Sequence, residues 1–161
     1  MGEVIGVSRR RKLEYRCYAS IQRNARRAAR NVTLIDWDTG CFDGYRFCLV
    51  MTRRRAGDMV ATPVWFAEVG GRLCFRTAGD TGKVRRVRSE PEVWVAPCSI
   101  GGKQMAPFMV GISEILCEDE AMAAEAALQG RYGLSRRVFE ILFGARDAVY
   151  IAVSKPDRVG T

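Results

Sequence analysis

In the run Thr77-Ala-Gly-Asp-Thr-Gly-Lys-Val-Arg-Arg86, hydroxyls, glycines and cations gather where a strand-like segment gives way to a helix. Lys83, Arg85, Arg86 and Arg88 come with no acid before Glu90. On a helix, Lys83/Arg86 and Arg85/Arg88 are like-charge pairs three residues apart, each costing roughly 0.2–0.5 kcal/mol. Lys83 stands in the first turn, where the helix dipole disfavours a cation by about 0.3–1 kcal/mol. A solvated basic face is the commonest fate of such a run. An anion at the helix N-terminus removes both penalties. It would be held by free backbone N–H groups, the Thr77 and Thr81 hydroxyls, and Lys83. Loop, hydroxyls and cations converge at one helix end, and this favours a phosphate.

Other chemistry is narrowed by what the chain lacks. It has no histidine, which removes Ser-His-Asp and Cys-His catalysis. Its six cysteines, Cys17, Cys41, Cys48, Cys74, Cys98 and Cys117, include no CxxC pair, so a zinc site of the usual Cys/His kind is not expected. Cys48, Cys74 and Cys98 sit in apolar strand contexts, where a free thiol behaves as a small hydrophobe.

The elements that must position the basic helix are mostly strands. Tyr45–Thr52 reads as a hydrophobic strand, and Met59–Val69 as a long one interrupted at Pro63. Proline cannot donate to a ladder, so that position is an edge, a bulge or a place where another group approaches. Gly70-Gly71 is a two-residue hairpin signal leading to Arg72–Thr77. Pro91 ends the basic helix, because the residue before a proline avoids the helical region. Val93–Cys98, Phe108–Cys117 with Gly111 as a bulge, and Ala148–Val153 complete the strands. Glu118-Asp-Glu120 place acids in the first turn of a helix that Gly130 or Gly133 stops. Ser135 caps a further helix whose wide apolar face includes Val138, Phe139, Ile141, Leu142 and Phe143. The architecture is a mainly β, roughly six-stranded antiparallel barrel decorated with helices.

Four segments, in order, resemble the split β-barrel flavin-binding family of pyridoxamine-phosphate-oxidase-like proteins. They are the hairpin Thr52-Arg-Arg-Arg-Ala-Gly-Asp leading to Thr62-Pro-Val-Trp-Phe66, then Phe75-Arg-Thr77, then Gly82-Lys-Val-Arg-Arg86, then Val95-Ala-Pro-Cys98. More narrowly they look like the branch that uses a deazaflavin, coenzyme F420, with its phosphodiester and polyglutamate tail. The match covers about residues 45–116. Gly102-Lys-Gln-Met-Ala-Pro107 departs from that branch's usual Gly-Arg-Pro-Thr-Gly-Pro run. The resemblance implies hydride transfer between the cofactor ring and a small conjugated substrate, with FMN as the alternative cofactor. It implies that backbone around Thr62, Pro63, Val64 and Trp65 touches the flat ring, with Trp65 as plain core the competing reading. It implies that Thr77, Thr81, Gly82, Lys83 and Arg86 hold the phosphate, that Arg53 and Arg54 are weaker candidates for the acidic tail, and that the protein is a homodimer. No acid–base side chain at the ring is required, since the cofactor supplies the chemistry and the protein holds and desolvates it.

At 161 residues and 48% hydrophobic, the chain has enough apolar material for one well-filled domain. No apolar run approaches a bilayer span and no signal-peptide core follows the start, so a soluble, cytoplasmic protein is expected. The net charge of +8 is uneven: residues 1–30 carry nine basic and two acidic side chains, and the rest is nearly balanced. Residues 1–12 read as a basic tail. From Leu13 a helix with a thin apolar stripe, Leu13, Cys17, Ile21, Ala25 and Ala28, lies over the barrel with its arginines outward. Solvent, nucleic acid, an acidic membrane surface or the cofactor's anionic tail are the partners open to those arginines. The arm's charge keeps a non-enzymatic module, whether cofactor carrier or nucleic-acid binder, as a competing reading, which loses ground because no aromatic–basic alternation or recognised nucleic-acid motif accompanies the arm. The expected division is residues 1–44 as arm and helix, 45–155 as barrel, and 156–161 as tail.

Overall fold

Residues 47–53 alternate between two buried environments, and this explains why the stretch reads as unbroken hydrophobicity. In the computed structural model, which describes residues 19–135 and 147–157, these residues form strand β1 (Phe47–Arg53). Cys48 and Val50 point into the barrel, whereas Leu49 and Met51 face outward beneath a helix. That helix, α1, covers residues 19–30. The basic tail, Leu13, Cys17, the Val138–Phe143 face and residues 158–161 lie outside the described residues.

The chain continues through β2 (Met59–Val69), β3 (Arg72–Ala78), α2 (Gly82–Ser89), β4 (Glu92–Cys98), β5 (Met109–Ile115), α3 (Glu118–Tyr132) and β6 (Ala148–Ser154). All neighbours are antiparallel, and the order β1-β2-β3-β6-β5-β4 closes a six-stranded barrel. The interior is filled by Val50, Phe66, Phe75, Val95, Met109 and Ile151 among others. Helix α2 sends Val84 and Val87 into this same interior. Outside the wall, Ala25 and Ala28 of α1 pack on Leu49, Met51, Ala61, Trp94 and Ala96. These small side chains let the helix lie close, and Arg23, Arg26, Arg27 and Arg30 stay exposed. Helix α3 covers the other side of the wall, with Leu128 and Tyr132 on Ala67 and Ala124 near Cys74. It runs on to Gly133, whose positive φ supplies the C-terminal turn.

The hairpin at Gly70-Gly71 has positive φ at both residues, as a two-residue turn with right-handed strand twist requires. Pro63 lies opposite Leu49 in an uninterrupted register, and β2 pairs with β3 only from Phe66 onward. Among the described residues, then, 59–65 has a strand partner, β1, on one side only. Gly111 corrects an expectation. It is no bulge, for it pairs directly with Val93. A Cβ there would lie 2.4 Å from Val153 Cγ1 and 2.8 Å from Trp37 Cζ3, so close packing demands the glycine. The turn-rich segment before β1 also contributes more than a connection. Its short 3-10 turn (Thr39–Phe42) drives Phe42 into the interior, 5.1 Å from Phe66.

The five described cysteines, Cys41, Cys48, Cys74, Cys98 and Cys117, are unbridged. Burial raises the pKa of Cys48 well above the usual thiol value and pushes Cys98 up to about 12, which keeps both neutral. Among the described residues no helix is long and apolar enough to cross a membrane.

Candidate cofactor site

Thr81 sets the first turn of α2. Its hydroxyl accepts from the Val84 N–H at 3.5 Å and donates to the Ala78 carbonyl at 3.0 Å. The turn thus consumes the hydroxyl expected for a ligand, while the Gly82 and Lys83 amides are left without intrahelical acceptors. Over this end two side chains fold back. A Cβ at Gly82 would lie 2.8 Å from Arg86 Nη1 and 3.8 Å from Arg85 Nη2. Glycine therefore gives the two guanidiniums room above the helix start. Arg86 is fixed from behind, since its Nε donates to Thr52 Oγ1 of β1 at 2.7 Å.

Lys83 is only 9% exposed, and its Nζ sits 5.4 Å from the Phe75 ring centre. Burial first, then the neighbouring Arg86, lower its pKa from the usual 10.5 to about 8. Burial and then the positive charges of Arg54 and Arg85 lower that of Arg86. Lys83, Arg54 and Arg85 thus each repel Arg86, and among the described residues none of the four is ion-paired. Arg53 is different. It bridges Glu90 at 3.1 Å and Glu92 at 3.7 Å and lies 5.0 Å over the Trp94 ring. Of the two hairpin arginines expected at the acidic tail, only Arg54 belongs to the cluster.

The second group of candidate residues lies on β2. Thr62 and Pro63 are half-buried, and Val64 turns into the barrel at 8% exposure. Trp65 stacks on Tyr132 with ring centres 5.2 Å apart and lies 6.4 Å from Phe47. The Tyr132 hydroxyl pins this corner. It accepts from Phe66 N–H at 3.1 Å and lies 2.7 Å from the carbonyls of both Phe66 and Arg46. The two groups meet through β1: Thr52, which holds Arg86, stands opposite Val60, just before Thr62. Thr77 is half-buried opposite Val149, and its side chain makes no hydrogen bond among the described residues.

The structure thus gathers Gly82, Lys83 and Arg86, adds Arg54 and Arg85, and spends Thr81 on its own turn. Arg85 was visible in the sequence as one of four crowded cations. Its direction back over Gly82 was not, because an i+3 neighbour can point along or away from the helix start. Guanidiniums without acids, free amides and a glycine beneath them form a donor set that fits a phosphate.

Solved structures similar in fold include the following three. A protein of unknown function from Agrobacterium tumefaciens is 20% identical with a TM-score of 0.57, over 70% of this chain and 49% of its own. This chain therefore spans about half the length of that protein. A protein provisionally named pyridoxamine 5′-phosphate oxidase from Listeria innocua is 12% identical with a TM-score of 0.51, over 73% and 90%. A FAD-binding protein from Mesorhizobium loti is 13% identical with a TM-score of 0.54, over 74% and 85%. These likenesses establish the fold as the split barrel of pyridoxamine-phosphate-oxidase-like proteins. No protein-family model and no curated protein matches the chain.

Proposed function

We propose that the protein is a cofactor-dependent oxidoreductase that binds a phosphate-bearing flavin-type cofactor, the deazaflavin coenzyme F420 in preference to FMN. In this reading it acts as a cytoplasmic homodimer on a small conjugated organic substrate. What carries the reading is the set of four cations, Lys83, Arg54, Arg85 and Arg86, crowded at the start of α2 with no acid partner among the described residues. Such an arrangement is unfavourable until an anion joins it.

The bound cofactor would supply hydride transfer; the chain's own residues bind, orient and exclude water. Arg86, held by Thr52, presents its guanidinium to the phosphate together with Arg85 and the Gly82 amide. Lys83, buried beneath the first turn beside Phe75, adds its positive charge from below. The single-sided stretch from Thr62 to Trp65 offers backbone to a flat ring, and the Trp65–Tyr132 stack fixes its far end. No side chain is assigned a proton-transfer role. FMN remains the second reading, because it too ends in a phosphate. The longer anion is favoured by Arg54, a further cation close enough to act on Arg86.

Fluorescence titration of F420 and FMN tests this. The deazaflavin binds more tightly to the wild-type protein, and Arg86→Ala weakens it by about 1.5–3 kcal/mol, the range for a charged hydrogen bond. Unchanged affinity in that variant removes the α2 cluster from the site.

A further inference from the structure

A groove of about 510 Å3 runs between α1 and the β1–β2 hairpin, on the outer wall of the barrel. One wall is a single face of α1, where Gln22, Ala25, Arg26, Ala29 and Arg30 recur at helical spacing. The other is the hairpin, from Arg54 through Asp58 into the start of β2. The floor is the rim of the outer core: Ala25 and Ala61 are buried, and Ala29 and Met59 pack against the same cluster. Above it stand the exposed guanidiniums of Arg26, Arg30 and Arg54. Among the described residues none of the three forms an ion pair. Asp58 is the one acid in the lining, which leaves it with net positive charge.

Two chemistries meet in this hollow. An inorganic anion or a nucleic-acid backbone would use the arginines and gain nothing from the apolar floor. A neutral apolar molecule would use the floor and leave the guanidiniums crowded. The volume falls in the range that holds a small organic molecule, roughly 300–1,000 Å3. We propose that the groove is a second ligand site, specific for a small organic anion with one carboxylate or sulfonate on an apolar body. The body lies on Ala25, Ala29 and Met59, and the anionic group reaches Arg26 and Arg30. Arg26 and Arg30, the two guanidiniums assigned to the anion, line this groove and are not among the charges acting on Arg86, whereas Arg54 lines the groove and also acts on Arg86.

The test is calorimetric titration of the full chain at low salt with 2-naphthoate. Its neutral analogue 2-naphthalenemethanol, inorganic phosphate and a short DNA duplex serve as comparison probes. We expect saturable binding of one 2-naphthoate per chain. The Arg26→Gln/Arg30→Gln double variant, altered only at exposed positions, weakens it about tenfold or more. The alcohol binds about tenfold more weakly as well. Ala29→Leu, which fills the floor, also weakens 2-naphthoate. Arg86→Ala changes its affinity by less than about threefold, so failure of the cofactor reading and failure of this one are separable. Unchanged affinity in the double variant overturns the proposal. So does an alcohol that binds as tightly as the acid, or a duplex that binds through Arg26 and Arg30 while 2-naphthoate does not.

Discussion

Replacing Lys83 by methionine keeps the length of the side chain and deletes its charge. The lysine is 9% exposed, and its pKa falls from 10.5 to about 8 through burial and through Arg86. The folded state thus holds the ammonium less favourably than the unfolded chain does. The gap corresponds to roughly 3 kcal/mol of destabilisation, fully present below about pH 8. Between about pH 8 and 10.5 the unfolded chain binds this proton and the folded protein does not, so the lysine's penalty shrinks as pH rises. Urea denaturation at pH 7 should therefore find Lys83→Met more stable than wild type by up to about 3 kcal/mol, and the advantage should vanish near pH 10.5. Cys48, whose pKa Lys83 itself lowers, is kept neutral by burial, and the remaining cysteine titrations are common to both proteins and cancel in the difference. The same variant should bind the deazaflavin more weakly, since the anion loses a cation. A variant that is less stable at pH 7 by an amount independent of pH would refute the reasoning. The amine would then be stabilising the fold by packing, with no suppressed charge.

Two further substitutions probe the frame around the site. Gly111→Ala puts a methyl 2.4 Å from Val153 and 2.8 Å from Trp37, so it should destabilise by about 1–3 kcal/mol in denaturant titration. Tyr132→Phe leaves the Phe66 amide without its hydroxyl partner and should cost about 1–3 kcal/mol while keeping the Trp65 stack visible in near-ultraviolet circular dichroism.

Much of the barrel was legible because its walls are covered on both faces. The hydrophobic runs from Phe47, Val93 and Met109, and the Gly70-Gly71 turn, each have few alternatives to a strand pair. The site was legible in its charges and less so in its directions. Crowding of Lys83, Arg85 and Arg86 was readable from spacing alone. That Lys83 would turn under the helix beside Phe75 was not, since local sequence does not tell a first-turn lysine from a solvated one. In the sequence Thr81 fits a ligand donor as well as a cap, because hydroxyls before a helix serve either role; in the structure the Ala78 carbonyl and Val84 amide bond it. Arg53 and Arg54 are neighbours in sequence, yet Glu90 and Glu92 capture the first and leave the second. The acids lie far along the chain, and only barrel closure brings them across. Gly111 shows the same limit: a bulge and a crowded crossing both select glycine, and the deciding atoms belong to Trp37 and Val153.

The way α1 lies on Leu49, Met51 and Trp94 makes the helix a roof whose tiles are alanines and whose outer paint is arginine. Cutting it away to ask what its charge does would strip the shelter from the sheet beneath, and aggregation would answer in place of electrostatics. Repainting is the cleaner operation. Arg23, Arg26, Arg27 and Arg30 can be neutralised one by one while Ala25 and Ala28 keep the weather out.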